Sequence, residues 1–497
     1  MKISFKIKLL TYVSVLFIMS CKSSQDKISN KDKTVVSKIQ TPEKPNILVI
    51  LCDDLGYSDV GFNGATDIIT PNLDALANGG TVFTSAYVAH PFCGPSRAAL
   101  MTGLYPHKIG AQFNLPPNSG ETIKKGISVE ETFISKVLNN AGYNTGIIGK
   151  WHLGSNAEFH PNVRGFDDFF GFLGGGHNYF PEQYRQAYKN QKESGKKLIW
   201  DYLHPIEHNG KDVEETEYLT DAFSREGVRF IKDASKTKNP FFLYLSYNAP
   251  HTPLEAKEED LKLFAHIKDK KRRTYAAMVY AVDRGVKEIV IALKKSGQYE
   301  NTLIVFFSDN GGKTSAGATN NPLKEGKGSV YEGGFRVPMF FHWKNVVSAG
   351  KKYDYNVSAL DLYPTFARLA DAKIPEGKRL DGKNIWDNFL QNQDNHKNDN
   401  IYVLRHRNGF SDVGVRNNEW KAVKAYQQKW KLFNVDNDLG ETNDLSDKFP
   451  NILKNLVVEA ATWSESHIQP QFWHDEKTGI DWKDDKMPRF DKTFQLD

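Results

Sequence analysis

Four apolar runs, at 46–51, 143–148, 241–247 and 303–307, each end directly in reactive polar residues. The first runs into Asp53 and Asp54, the second into Lys150 and His152, the third into His251, the fourth into Asp309 and Asn310. Near-continuous hydrophobicity over such lengths suits strands buried on both faces, as in a parallel sheet. Helical candidates over 129–141, 221–234 and 271–295 alternate with them. The alternation predicts an α/β fold with a large, mostly parallel sheet flanked by helices. Ligands of open α/β sheets bind beyond the carboxyl ends of the strands. The four runs therefore deliver Asp, Asp, Lys, His, His, Asp and Asn to one constellation.

The pattern changes near residue 390. A polar stretch, 391–400, reads as a linker, and short alternating segments follow around Tyr402, 413–415, 420–423 and 430–435. With a terminal helix over 451–463, they predict a small C-terminal α+β domain at 391–497, built on an antiparallel sheet and following a catalytic domain at 45–390.

The 497 residues carry a formal net charge of +5. Residues 1–45 hold nine Lys against three acidic residues, so the remainder carries 5 − 6 = −1. A folded part this close to neutral argues against a nucleic-acid partner, and an anionic substrate must be met by local cations. Lys2, Lys6 and Lys8 precede an apolar run at 9–19 that is too short to span a bilayer comfortably. The run ends in Ile18-Met19-Ser20-Cys21, which resembles a bacterial lipobox. On that reading 1–20 is a signal peptide, Cys21 is lipidated, and 21–44 is a polar tether. The protein is then exported and anchored to the bacterial cell envelope, facing periplasm or surface. Of the other two cysteines, Cys52 and Cys93, export alone favours a bridge between them.

The surroundings of Cys93 predict a different fate. Residues 90–103 read HPFCGPSRAALMTG. Pro95 opens a helix expected to begin near Ser96, which sets Cys93 near a helix N-terminus, where amide donors favour negative charge. Spacing alone predicts an activated thiolate or an anion site there. Cys93-Gly94-Pro95-Ser96-Arg97 with Thr102-Gly103 also resembles the C-x-P-S-R signature of type I, formylglycine-dependent sulfatases of the alkaline-phosphatase-like superfamily. Further matches occur in the family's order: Asp53-Asp54-Leu55-Gly56-Tyr57, Gly149-Lys150-Trp151-His152-Leu153-Gly154, Ala249-Pro250-His251-Thr252-Pro253 and Ser308-Asp309-Asn310-Gly311-Gly312, then 326–338 and, near the end, 430–434 and 440–445.

That resemblance implies a sulfuric ester hydrolase similar to bacterial polysaccharide sulfatases and arylsulfatases. It implies that a maturation enzyme converts Cys93 to formylglycine, and that Asp53, Asp54, Asp309 and Asn310 bind one Ca2+ together with an oxygen of modified Cys93. An oxygen-rich set suits a hard cation. One hydroxyl of the hydrated aldehyde attacks sulfur, and the second lets the covalently held sulfate leave. By the same resemblance Arg97 holds the formylglycine, His152 takes a proton during elimination, Lys150 and Lys327 neutralise sulfate oxygens, and His251 protonates the leaving alkoxide. Lys324-Glu325 departs from the family's usual residues before Gly326.

Substrate recognition is read from two further segments. Gly174-Gly175-Gly176-His177-Asn178-Tyr179-Phe180 is a candidate substrate loop, with His177 and Tyr179 expected to bond and stack on a sugar. Arg405 and Arg407, at the start of the small domain, are expected to reach an acidic sugar. The expected activity is exo-desulfation of oligosaccharides from a sulfated polysaccharide. A phosphodiesterase or phosphonate monoester hydrolase with the same nucleophile is the enzymatic alternative, and a non-catalytic glycan-binding lipoprotein is the alternative outside enzymes.

Overall fold

The computed structural model describes residues 44–119, 125–407, 410–484 and 493–496. The lipidation site expected at Cys21 lies outside the described residues. Ten strands form the main sheet: β1 (Asn46–Cys52), β2 (Thr81–Phe83), β3 (Asn144–Lys150), β4 (Asp168–Phe172), β5 (Glu207–His208), β6 (Lys211–Asp212), β7 (Phe241–Ser246), β8 (Thr302–Ser308), β9 (Met339–His342) and β10 (Lys351–Tyr353). Their spatial order is β10-β2-β9-β8-β1-β7-β3-β4-β5-β6.

The four apolar runs of the sequence are four adjacent central strands, β8-β1-β7-β3, all parallel. Cys52 pairs with Ser308, Leu51 with Ser246, and Ser246 with Gly149, so the carboxyl ends finish level. Each strand is buried on both faces because helices cover both. Ile47, Val49 and Leu51 of β1 join one core with α1 (Cys93–Thr102), α2 (Ile134–Asn140) and α5 (Leu362–Leu369). Leu48, Ile50 and Cys52 join the other with α3 (Leu219–Ala234) and α4 (Lys270–Lys295).

Two helices differ from expectation. The one expected over 129–141 starts only at Ile134, because the Ser128 hydroxyl accepts the Glu130 N–H in a turn and Val129 is 56% exposed. The one expected from Ser96 already begins at Cys93, with Phe92 as its extended N-cap.

A four-stranded antiparallel sheet follows, β11 (Asn400–Arg407), β12 (Phe410–Asn417), β13 (Trp420–Lys424) and β14 (Lys431–Asn434), with α6 (Pro450–Ser464) packed on it. The described residues fall in one compact unit, so this sheet is not set apart from the rest. The stretch expected as a linker is tied down: His396 is buried, with Nε2 2.8 Å from Asp361 and Nδ1 3.0 Å from Asp399. Among the described residues no helix is long and apolar enough to cross a membrane.

Candidate active site

Level strand ends and one helix N-terminus converge on a buried charged floor. Asp53 and Asp54 follow β1, Asp309 and Asn310 follow β8, Lys150 ends β3, and His251 follows β7; all are buried. Lys150 Nζ lies 2.5 Å from Asp53 Oδ2, and Lys327 Nζ lies 2.6 Å from Asp54 Oδ1. Arg97, one turn along α1 from Cys93, donates through Nε to Asp309 Oδ2 at 2.8 Å and through Nη1 to the Lys150 carbonyl and the Ser246 hydroxyl. Its guanidinium thus straps the ends of three strands together. Three carboxylates face three cationic side chains, and the floor is neutral without any ion.

Its hydrogen bonding is incomplete. Asp53 Oδ1, Asp54 Oδ2 and Asn310 Oδ1 are buried acceptors with no donor, whereas Asn310 Nδ2 is satisfied by Asp54 Oδ1 at 2.8 Å. Buried polar atoms are almost always paired, so orphaned acceptors grouped together mark a cation position. Asp53, Asp54 and His251 also bring ligand atoms within 4.8 Å of one another. The His251 nitrogen is the lesser candidate, since the unpaired oxygens give a hard cation the harder donor set. Asp54 sits at φ +65 and His152 at φ +64, left-handed values that non-glycine residues hold only when the surroundings enforce them.

Burial and charge set the protonation states. Burial raises the Asp53 carboxyl, but Lys150, with His251, Arg97 and Lys327 behind it, holds it well below the usual carboxylate range. Burial, with Asp53 beside it, pushes Asp309 up to about 6. Burial brings His251 down to about 4 and, helped by Lys150, lowers His152 far below its ordinary value, so both rest neutral. His251 Nδ1 is 2.7 Å from the Thr252 carbonyl, which leaves Nε2, 3.7 Å from Asp54 Oδ2, as the atom available for proton transfer.

Cys93 is the N-terminal residue of α1 and nearly fully buried. Its Sγ is 3.7 Å from Asn114 Oδ1, which also accepts the Gly94 N–H at 2.9 Å. Burial raises the thiol's pKa despite Lys150 and Lys327, the opposite direction from the activation expected of its helix position. The Cys52–Cys93 bridge is also corrected: both are free buried thiols.

The glycine-rich loop serves a different purpose from the one expected. A Cβ at Gly175 would stand 2.8 Å from His152 Nε2, and one at Gly176 would stand 2.3 Å from the Tyr202 ring; bare backbone lets those side chains close in. His177 and Tyr179 are fully buried, their polar atoms spent inside the fold. The His177 ring nitrogens lie 2.7 Å from the Asn178 and His204 carbonyls, and the Tyr179 hydroxyl lies 2.8 Å from those of Asn248 and His251. Tyr179 braces the turn carrying His251 and His177 ties the loop to the His204 segment, which corrects their expected contact with a sugar. Arg405 and Arg407 do line a cavity, beside Phe92 and Asn114, the neighbours of Cys93.

Asn114 and Asn248 escaped the sequence reading. Asn248 is buried with no partner for either amide atom, and it shares the β7 strand-end segment with His251, the one signal that could have found it. The Lys324-Glu325 departure is accommodated: Lys324 Nζ donates to the Glu441 carbonyl, and Glu325 accepts the Tyr426 hydroxyl at 2.8 Å.

The sulfatase family profile matches residues 45–372, and that of the N-sulphoglucosamine sulphohydrolase C-terminal region matches 326–461. Arylsulfatase J of Mus musculus is 30% identical over 476 residues, covering 86% of this chain and 77% of the relative. N-acetylgalactosamine-6-sulfatase of Mus musculus is 33% identical over 366 residues, covering 71% and 67%. The crystal structure of Ps i-CgsB in complex with k-i-k-neocarrahexaose is 59% identical, with a TM-score of 0.90, over 91% of this chain and 100% of that one.

Proposed function

From the premise that the chain belongs to the sulfatase family and is a sulfuric ester hydrolase, we propose exo-desulfation of oligosaccharides from a sulfated polysaccharide of the carrageenan type. One observation carries the hydrolytic reading. Three orphaned buried oxygens and three cationic side chains converge beside Cys93. The sugar class is supported by the 59% identity, over the full length of Ps i-CgsB, to a protein crystallised with a neocarrahexaose.

Asp53, Asp54, Asp309 and Asn310, with an oxygen of modified Cys93, would hold one divalent cation, read as Ca2+. That ion supplies positive charge to a floor otherwise neutral, matching an anionic ester and a developing alkoxide. Formylglycine, once made from Cys93 by a maturation enzyme, supplies a hydrated aldehyde with two hydroxyls, one for attack and one for release.

The chain's own residues do the rest. Arg97 fixes the strand ends and keeps α1 in register with them. Lys150 and Lys327 hold charge against the sulfate oxygens. His152, kept neutral by burial, accepts a proton. An anionic ester bound beside His251 favours its protonated form, and Nε2 then delivers the proton to the leaving oxygen.

Sulfate release from neocarra-oligosaccharides tests this reading, measured beside phosphate monoesters and diesters. Preference for sulfate at a chain end is expected. Faster turnover of phosphodiesters or phosphonates would move the reading to the alternative hydrolase, binding without release to the glycan-binding alternative, and cleavage of internal sulfates alone would remove the exo assignment.

The lipobox-like Ile18-Met19-Ser20-Cys21 supports export and a lipid anchor in the cell envelope. Cys21→Ser should move the protein from the membrane to the soluble fraction; an unchanged distribution would contradict the anchor.

A further inference from the structure

A cavity of about 470 Å³ opens beside the nucleophile, lined among others by His90, Phe92, Gln112, Phe113, Arg405 and Phe410. It adjoins the active site through two of the chain's own links. Phe92 precedes Cys93, and Arg405 Nη1 donates at 2.6 Å to the carbonyl of Gly328, the residue after Lys327.

The charges around it do not balance. Arg407 is paired with Asp412. Arg405, only part-exposed, lies with Cζ 4.7 Å from the Phe92 ring centroid and has no carboxylate within ion-pair distance among the described residues. Burial, with Arg407 nearby, lowers its pKa to about 10, outweighing the pull of Asp412, which Arg407 already engages. A cation held this way is costly unless an anion completes it.

Two residues that line the same cavity each keep a buried polar atom without a partner. His90, 1% exposed, accepts the Phe92 N–H on Nδ1 at 3.2 Å, and burial keeps the ring neutral. Its proton therefore sits on Nε2, which has no partner. Gln112, 2% exposed, donates Nε2 to the Ile468 carbonyl at 2.6 Å and leaves Oε1 unpaired. Cation, N–H donor, acceptor and aromatic faces are what a sulfated sugar requires: the sulfate takes the first two, a hydroxyl the third, and the ring's C–H face the fourth.

Resting on the sulfatase reading above, we propose that this cavity is a second anion-recognition subsite, which binds a sulfate on the sugar unit neighbouring the one being desulfated. The enzyme then selects for oligosaccharides sulfated on both units, with Arg405 and His90 as specificity-determining residues.

The test is binding to protein blocked against turnover by Cys93→Ala, measured by calorimetry. The probes are a neocarra-oligosaccharide sulfated on two neighbouring units and its counterpart keeping only the scissile sulfate. Preference of tenfold or more for the first is expected. In the same background Arg405→Gln should bring the ratio below threefold, and Arg405→Lys, which keeps the charge, should restore part of it. Equal affinity for the two probes, no binding of either, or a preference unchanged in Arg405→Gln would overturn the subsite. The comparison with Arg405 in place stands whether or not Arg405→Gln folds. Sulfate release by the unsubstituted enzyme is read separately, so loss of the subsite and loss of the sulfatase reading give different results.

Discussion

Among the described residues, two buried charge clusters differ in how far their polar atoms are met. Where the C-terminal sheet meets the catalytic part, Glu332 is fully buried with Lys421 Nζ 3.0 Å from one carboxylate oxygen, and the Tyr87 hydroxyl at 2.8 Å and Arg336 at 3.1 Å on the other. Glu441 completes it, meeting Lys421 at 2.8 Å and accepting the Glu332 N–H at 2.7 Å, while Arg416 reaches Asp436. Each carboxylate oxygen of Glu332 and Glu441 has a cation, hydroxyl or N–H within 3.1 Å, Glu441 Oε1 through its ion pair with Lys421 alone. The strand-end floor is equally buried and equally rich in charge, yet Asp53, Asp54 and Asn310 each keep an orphaned oxygen. Burial and charge therefore do not distinguish a catalytic site from a structural clasp. The unpaired oxygens on neighbouring Asp53, Asp54 and Asn310 do, because a single cation can meet them together, whereas the clasp's oxygens already face its own cations.

The sharpest way to break that contrast is to remove each cluster's key group. Cys93→Ala should abolish sulfate release, a fall of roughly 10³-fold or more as for lost nucleophiles elsewhere, with little change in melting temperature. Lys421→Ala should do the reverse. Leaving Glu332 and Glu441 buried without their cation should cost about 3–5 kcal/mol of stability, read by denaturant melts, while activity per folded molecule survives. If Lys421→Ala left stability untouched, the clasp would not be structural.

Calcium sharpens the comparison. At about 100 times its Kd, added Ca2+ should stabilise the protein by about 2.7 kcal/mol, and Asp53→Asn should erase most of that shift. A chelator should reverse it, and an identical thermal response in Asp53→Asn would remove the floor as the cation site. A pH-dependent effect concerns His396, raised to about 9 because Asp361 and Asp399 outweigh burial. A raised histidine contributes fully below its unfolded value near 6.5 and loses that contribution as pH climbs through about 9. The His396→Gln difference in stability should be at most about 3 kcal/mol at pH 6 and shrink toward pH 10; a constant difference would contradict the ion pair.

The sequence made the floor legible because three of its four strands, β1, β7 and β8, are near-continuous apolar runs, as burial on both faces demands. By contrast, β3 (NTGIIGK) is marked mainly by the Lys150 and His152 that follow its Ile pair. The Glu332 clasp was not legible, since Lys421 lies 89 residues away and neither residue belongs to a periodic pattern. His177 and Tyr179 misled for a related reason: a polar loop with a histidine and a tyrosine reads as a sugar contact until the distant carbonyls that bind them are seen. The stretch 391–400 is polar like a linker, yet His396 finds Asp361 across 35 residues. Arg405 was found by composition, but its missing counter-charge required the fold.

The central claim is that Cys93 is the precursor of the nucleophile, and the mass of the peptide containing it tests that most directly. Protein made in a host that matures sulfatases should give the formylglycine mass at Cys93, with sulfate release proportional to the modified fraction. An unmodified thiol in protein that releases sulfate at full rate would contradict the account.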